Sequence, residues 1–372
     1  MIRERVWLRH LSCRDFRNFE RLDLDVPEAG LAIIGDNGQG KTNLLESIYY
    51  MQVLRSARGA RDPDLVRFGE RAFFIATRSL TDDVHEMSVG FESAGKKKKV
   101  TLDGSVASRL SDAFGSLPSV MFSPRDIQMI SGGPAERRRF LDLVLALSSR
   151  RYLTALQNYR AALARRNAAL RDAARSEDDS AVSVWEPALA EHGATLLFER
   201  AGWVRQNRDE FSRLTAAIGE SGETRMAYNS SAARESDPAA ALAEAFSRQR
   251  RHDIRRGITH SGPHRDDLLL TLDGRELRVF GSAGQQRTAA IALRMLEGAT
   301  LRQARGLAPL LLLDDPFAEL DVQRSARILG LLQGAGLGQT VLVVPRESDI
   351  PPELLELERR RIRGGVVREL AS

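Results

Sequence analysis

The chain has 372 residues, 42% of them hydrophobic and 28% charged, which supplies core for one large domain or two to three smaller ones. The single cysteine, Cys13, excludes an internal disulfide framework and a cysteine zinc site, and no apolar run reaches membrane-spanning length. A net charge of +5 permits nucleic-acid binding without requiring it, because the distribution of charge matters more than its sum. The segment Met1–Trp7 lacks the apolar core of a signal peptide. With the lone thiol, this sets the expectation of a cytoplasmic protein.

Val6–Cys13 alternates apolar and polar residues as a half-buried strand does, and Leu22–Val26 alternates again after a turn at Asp15–Phe19. Pro27–Gly30 leads into Leu31–Ile34, a short apolar run of strand character. Gly35, Asp36, Asn37, Gly38, Gln39, Gly40, Lys41 and Thr42 then spell G-x-x-x-x-G-K-T, and Asn43 onward reads as a helix. Phosphate binding needs this order of parts. Glycines let backbone N–H groups turn inward on an anion, and the helix brings its positive end beneath it. Lys41 would reach the β- and γ-phosphates, and the Thr42 hydroxyl would hold Mg²⁺.

Short strands are predicted over Ala72–Arg78, His85–Glu92 and Lys99–Leu102, forming an antiparallel subdomain, and again over Val120–Phe122. Lys96–Lys99 reads equally as a solvated edge and as a DNA contact. After Ser131–Pro134 the period becomes helical. A long helix is expected over Glu136–Arg175, then a second carrying Val182, Trp185, Leu189, Leu196 and Trp203, with His192 as a hydrogen-bonded structural histidine. Together they predict a helical arm. Asp237-Pro238 starts a further helix that ends in a basic run. A strand over Leu268–Leu272, a turn at Asp273-Gly274 and a strand running to Phe280 follow. Gly281–Gln285 opens another helix. Leu310–Leu313 is apolar throughout, as a strand buried on both faces must be, and it ends in Asp314-Asp315. Thr340–Val344 is the last strand expected, before a charged tail.

Asp314, at the carboxyl end of a central strand, would hold Mg²⁺ with Thr42, and Asp315 would polarise the attacking water. Ser282-Ala-Gly-Gln285 alone reads as a helix cap. Standing about thirty residues before the acidic strand, in a chain with a phosphate loop, it completes the ATP-binding-cassette order, followed by Glu319-Leu-Asp321. In that class two subunits pair head to tail, and Ser282 and Gln285 of one cover the γ-phosphate held by Lys41 of the other. The expected fold class is α/β: a P-loop ATPase head with a mixed sheet, flanking helices and an antiparallel subdomain, carrying an inserted, mostly helical arm. Its parts are residues 1–133, the head with the phosphate loop; 134–256, the arm; and 257–372, the rest of the head.

Phe16-Arg-Asn-Phe19, Gly35–Thr42 with Asn43-Leu-Leu-Glu46, Gly133-Pro-x-x-Arg-Arg138, Arg166-Asn167, Gly262-Pro-His-Arg-Asp-Asp267 and Leu312-Leu-Asp-Asp315 resemble the RecF family of bacterial recombination mediators, relatives of the chromosome-maintenance ATPases. The resemblance covers nearly the whole chain. It implies ATP and Mg²⁺ as cofactors, with Gly35–Asn43 as the nucleotide site and Lys41, Ser282, Gln285, Asp314 and Asp315 as catalytic residues. It also implies an ATP-dependent homodimer on double-stranded and gapped DNA, serving recombinational repair and replication-fork maintenance, and work with RecR and RecO in RecA loading. Departures are Ala283, Ala318 where a serine is common, and no switch histidine after the last strand. Slow hydrolysis is expected, with Arg346 or Glu347 as substitutes and Asp126 or Gln128 as water-sensing residues. In the Gly-Pro-His-Arg-Asp-Asp segment the preferred reading is a polar network in which Asp266 or Asp267 pairs Arg265.

For DNA the candidates are Arg137, Arg138, Arg139, Arg150, Arg151, Arg165, Arg166 and the run Arg248, Arg250, Arg251, Arg255 and Arg256. Few aromatics interleave with them, which favours duplex backbone contact over base stacking. Two other readings compete: the nucleotide-binding subunit of a membrane transporter, and a non-hydrolysing clamp that uses ATP only as a ligand.

Overall fold

The computed structural model describes residues 5–176, 178–316, 321–336 and 338–370. Contacts group the chain into two compact units, residues 1–126 with 297–372, and residues 127–296. Of the motif Glu319-Leu-Asp321, residues 319 and 320 lie outside the described residues, as does Ala318.

In the first unit β1 (Trp7–Phe16) and β2 (Phe19–Asp25) form a hairpin, and β3 (Gly30–Ile34) leaves for a second sheet. β4 (Ala72–Leu80), β5 (Val84–Glu92), β6 (Lys97–Leu102) and β7 (Ser105–Val106) complete an antiparallel sheet of order β2-β1-β4-β5-β6-β7. β4 buries every second residue, the signature of a sheet with one face covered. Phe16, Tyr50, Phe73 and Phe91 cluster beneath it with ring centroids 5.4–6.3 Å apart. The lysine run is partly internal: Lys98 pairs with Asp62 at 2.7 Å and donates to Leu54 O. β8 (Ser119–Phe122) is wholly buried.

The second unit is mostly helical. The expected single helix over 136–175 is two, Pro134–Ser148 and Arg150–Ser176. Ser149 between them is extended, and its hydroxyl accepts from Tyr152 N at 3.2 Å, so it ends one helix and starts the next. Helices Glu186–Ile218 and Pro238–Arg256 follow, the latter capped by Asp237 as its Asp-Pro start predicts. Gly193 lets these elements close up, since a Cβ there would stand 2.8 Å from Leu242 and 3.2 Å from Tyr159. His192, expected to be hydrogen-bonded, is half-buried, and its imidazole has no hydrogen-bond partner among the described residues.

β9 (Thr224–Asn229), which the sequence pattern did not single out, pairs with β10 (Asp267–Leu272), and β11 (Arg275–Glu276) completes a small antiparallel sheet. The strand expected to run to Phe280 stops at Glu276 and becomes a helical turn, Leu277–Phe280. There Leu277 is buried while Val279 and Phe280 are exposed, a burial pattern no strand gives.

The chain is back in the first unit from residue 297, and β12 (Leu310–Asp314) and β13 (Thr340–Val344) follow there, both buried throughout. The charged tail forms two more strands, β14 (Glu358–Arg363) and β15 (Val366–Glu369), joined by Gly364-Gly365, both at positive φ as a tight hairpin turn requires. The second sheet reads β15-β14-β3-β13-β12-β8, and all its neighbours are parallel except the β14–β15 hairpin. No helix among the described residues is long and apolar enough to cross a membrane.

At the heart of the second unit Arg166 is fully buried. It donates to Asp253 at 2.8 Å, to Glu186 at 3.0 Å and to the Thr259 hydroxyl at 2.8 Å, and its guanidinium lies over Phe246. Removing one partner of a buried ion pair leaves a charge without compensation. Arg166→Ala should therefore destabilise this unit by about 3–5 kcal/mol. Urea unfolding followed through Trp185 and Trp203 should show the shift, while the fluorescence of Trp7 in the first unit should not move with it.

Candidate functional site

β3 runs directly into the glycine-rich loop, where close approach accounts for two of the glycines. A Cβ on Gly35 would lie 2.5 Å from Ile362 O of β14, and one on Gly40, at φ 115°, would lie 2.7 Å from the Asn18 side chain. Gly40 then caps the helix Lys41–Val53, whose first N–H groups turn toward the loop. Asp36, Asn37 and Gly38 form its exposed crest. Lys41 folds back over the loop, donating to Gly35 O and, at 3.0 Å, to Asp36 O.

The Thr42 hydroxyl donates to the Asp314 carboxylate at 3.1 Å, at the carboxyl ends of β3 and β12, which β13 separates. Burial lowers the Lys41 amine from its ordinary value against the pull of Asp315, Asp314 and Asp36. Burial raises the Asp314 carboxyl, Asp315 adding to it, while the Thr42 hydrogen bond, Arg58 and Lys41 act the other way. Both shifts have the same remedy. Phosphate oxygens would favour the charged amine, and a divalent cation would favour the charged carboxylate. A hydroxyl and a carboxylate side by side are hard oxygen donors of the kind Mg²⁺ takes. Asp315 holds a left-handed backbone, φ 46°, uncommon for a residue with a side chain.

The support beneath the loop was only partly visible as motif letters. Asn18 donates to Gln39 O at 3.0 Å and accepts from Asn43 at 2.7 Å. Arg17 grips the buried Glu46 through two bonds, at 2.9 and 3.1 Å, and Arg58 joins Glu46 to Asn43. Burial acts to raise the Glu46 carboxyl, but hydrogen bonds from Arg58, Arg17 and Ser56 outweigh it and hold the group below the usual carboxylate range. Gln39 receives Gly364 N on its side chain at 2.7 Å and Gly365 N on its carbonyl at 3.0 Å. Nothing in the charged tail signalled these last two contacts.

Ser282 and Gln285 belong to the second unit. There they form a reciprocal cap: Ser282 N donates to Gln285 Oε1 at 2.9 Å, and Gln285 N to Ser282 Oγ at 3.3 Å, at the exposed start of the helix Ala283–Arg305. Arg346 and Glu347 are engaged with Asp349 and Arg359.

The Gly-Pro-His-Arg-Asp-Asp segment is a polar network, with partners other than those expected. Asp267 takes a two-pronged bond from Arg137 at 2.8 and 2.7 Å, Asp266 accepts from Tyr228 at 2.7 Å, and Arg265 donates to Thr259 O. Pro263 O accepts from the buried Arg200 at 2.7 Å. His264 Nε2 donates to Thr259 O at 3.0 Å, so its Nδ1 accepts from Tyr159 at 2.6 Å.

Two DNA candidates are corrected by the same contacts. Arg166 and Arg137 are buried and committed to internal carboxylates, so neither has a guanidinium to offer a phosphate. Arg250 is bound to Glu186 at 2.6 Å, and Arg138 donates to Asp266 O. Arg139, Arg165 and Arg251 are exposed, with Arg165 lying over Trp185.

A parallel sheet that brings a glycine-rich loop and an acidic strand end to one corner defines a P-loop protein with the ATPase-head fold of the ABC and SMC class. The family model for the RecF/RecN/SMC N terminal domain matches residues 7–350. Curated relatives described as DNA replication and repair protein RecF align over almost the full length. The one from Chloroflexus aurantiacus is 36% identical over 97% of this chain and 99% of its own, and that from Lachnoclostridium phytofermentans 33% over 95% and 96%. A solved structure of the recombination mediator RecF-ATP in the RecFOR pathway superposes with a TM-score of 0.91 at 28% identity, covering 99% of both chains. The Smc head domain of Pyrococcus furiosus shares the fold, at a TM-score of 0.56 and 15% identity over 98% of this chain and 95% of its own. The chain belongs to the RecF family.

Two outcomes test the geometry. Burial pushes His264 down to about 4, with Arg265, Arg138 and Arg200 adding to the effect and the bond to Thr259 O opposing it. The unfolded imidazole takes its proton near pH ~6.5. Between these values the unfolded chain holds the extra proton, so stability of the second unit should fall as pH drops through that window. His264→Gln should flatten this slope in thermal unfolding measured across it. In the first unit, Gly35→Ala drives a methyl into Ile362 O and should cost about 1–3 kcal/mol, read through Trp7.

Proposed function

We propose that this protein is a cytoplasmic recombination mediator that binds ATP and Mg²⁺ at Gly35–Asn43, dimerises head to tail on them, and hydrolyses ATP slowly on double-stranded or gapped DNA. The observation that carries this is the meeting of Lys41, Thr42 and Asp314 at the mouth of a parallel sheet, in a chain of the RecF family. Backbone N–H groups of the loop and the Lys41 amine would cradle the β- and γ-phosphates. Thr42 and Asp314 would hold Mg²⁺, which neutralises charge building on the phosphate oxygens. Asp315 would polarise the water.

Ser282 and Gln285 of a second copy would cover the γ-phosphate, in keeping with their exposed, self-capped helix start. Residues 1–133 and 257–372 would act as the head, and 134–256 as the arm. Slow turnover agrees with Arg346 and Glu347 being tied into surface pairs of their own. Of the named arginines, Arg139, Arg150, Arg151, Arg165, Arg248, Arg251, Arg255 and Arg256 have the exposure that backbone contact needs. RecR, with RecO, would be the protein partner, and RecA loading the outcome served.

The test is sedimentation with ATP, with and without gapped duplex DNA. Wild type should dimerise only with ATP and more strongly with DNA, while Lys41→Met and Ser282→Arg remain monomeric. Normal dimerisation of Ser282→Arg would overturn the shared site.

A further inference from the structure

The segment 262–267 is almost entirely consumed by its own unit. Gly262, at φ 116°, passes so close to Tyr159 that a Cβ would stand 2.6 Å from its hydroxyl. Pro263, His264, Asp266 and Asp267 each meet a named internal partner. Arg265 does not. It is exposed, its Nε and Nη2 both lean on Thr259 O at 3.3 and 3.1 Å, and among the described residues no carboxylate pairs with it.

Arg265 lines a cleft of about 380 Å³ together with Arg248, Ser230, Ser261 and Gln249. The Arg248 pair with Glu244 is an exposed contact of 3.3 Å within one helix, and such pairs hold weakly. The cleft also has two carboxylates in its wall, and both are spoken for. Asp267 is bound two-pronged by Arg137. Asp266 accepts the Tyr228 hydroxyl, and burial raises its carboxyl against the hydrogen bonds of Tyr228 and Ser230 and the charges of Arg200 and Arg138. Two guanidinium groups thus stand among hydroxyl and amide groups, and the two carboxylates beside them already have partners.

We infer that this cleft seats a phosphoryl group, of a nucleic-acid backbone or of a free nucleotide, with Arg265 as the planar fork that grips it. A guanidinium matches phosphate oxygens through parallel N–H bonds, and serine hydroxyls fill the remaining acceptor directions. The space exceeds a lone carboxylate and is of the size that holds a nucleotide. The first of the two sources rests on the DNA-binding reading above; the second does not.

Arg265→Gln and Arg265→Lys test it. Thr259 O keeps its bond from His264 in either variant, so the thermal midpoint should not move. Anisotropy titrations with a duplex oligonucleotide across salt concentrations should show Arg265→Gln binding about tenfold more weakly, with a log K against log salt slope shallower by about 0.9, as loss of one phosphate contact requires. Arg265→Lys should recover most of the slope and less of the affinity. Equilibrium dialysis with ATP in a Lys41→Met background reads the other source: an equivalent of nucleotide bound independently of Lys41, and lost on adding Arg265→Gln, assigns the cleft to free nucleotide. Unchanged duplex affinity and slope with no second equivalent overturns the inference. If wild type binds no duplex at all, the DNA reading fails by itself and the dialysis alone decides the cleft.

Discussion

Thr42 and Asp314 stand 272 positions apart in the chain and 3.1 Å apart in space. That approach is made by the sheet alone. β3 and β12 each pair in parallel with β13, so their carboxyl ends leave the sheet at the same edge, one turning into a phosphate loop and the other into two aspartates. Parallel strands buried on both faces have no polar side to spare, which is why every residue of β3, β12 and β13 is buried. The chemistry is confined to where the strands stop. A slip of one residue in either register would turn the Asp314 side chain to the other face of the sheet and remove it from Thr42.

Beneath the loop the same economy holds. Glu46 is a buried carboxylate with two arginines and a serine on it, and its geometry fixes Arg17 and Arg58 around the first turn of the helix Lys41–Val53. Such a cluster rigidifies because every member is satisfied. The second unit uses the device twice more, around Arg166 and around Arg200, where ion pairs and hydroxyls draw helices together at points the apolar seams do not reach.

Legibility followed range. The phosphate loop, the acidic strand end and the antiparallel strands are written in local pattern, because glycine spacing and hydrophobic period act over a few residues. The capping pair Ser282 and Gln285 is local too. The break at Ser149 was hidden because a serine between two helical periods looks like part of one. β9, β14 and β15 were hidden because six or fewer residues carry little period, and β14 is an arginine-rich stretch whose strand identity comes from lying against β3. Arg166 is the sharpest case. On sequence it belongs to a basic helix face, yet its partner Asp253 lies 87 residues on, and only tertiary contact reveals that the charge points inward.

The bonds from Gly364 and Gly365 to Gln39 carry a consequence for biosynthesis. Chains fold as they emerge, and the phosphate loop leaves the ribosome 325 residues before the turn that braces its Gln39 side chain. β14, which lies against Gly35, also arrives late. A nascent chain therefore holds a loop that is written but not yet braced. Until the hairpin docks, Gln39 lacks the two backbone N–H donors that Gly364 and Gly365 bring to it.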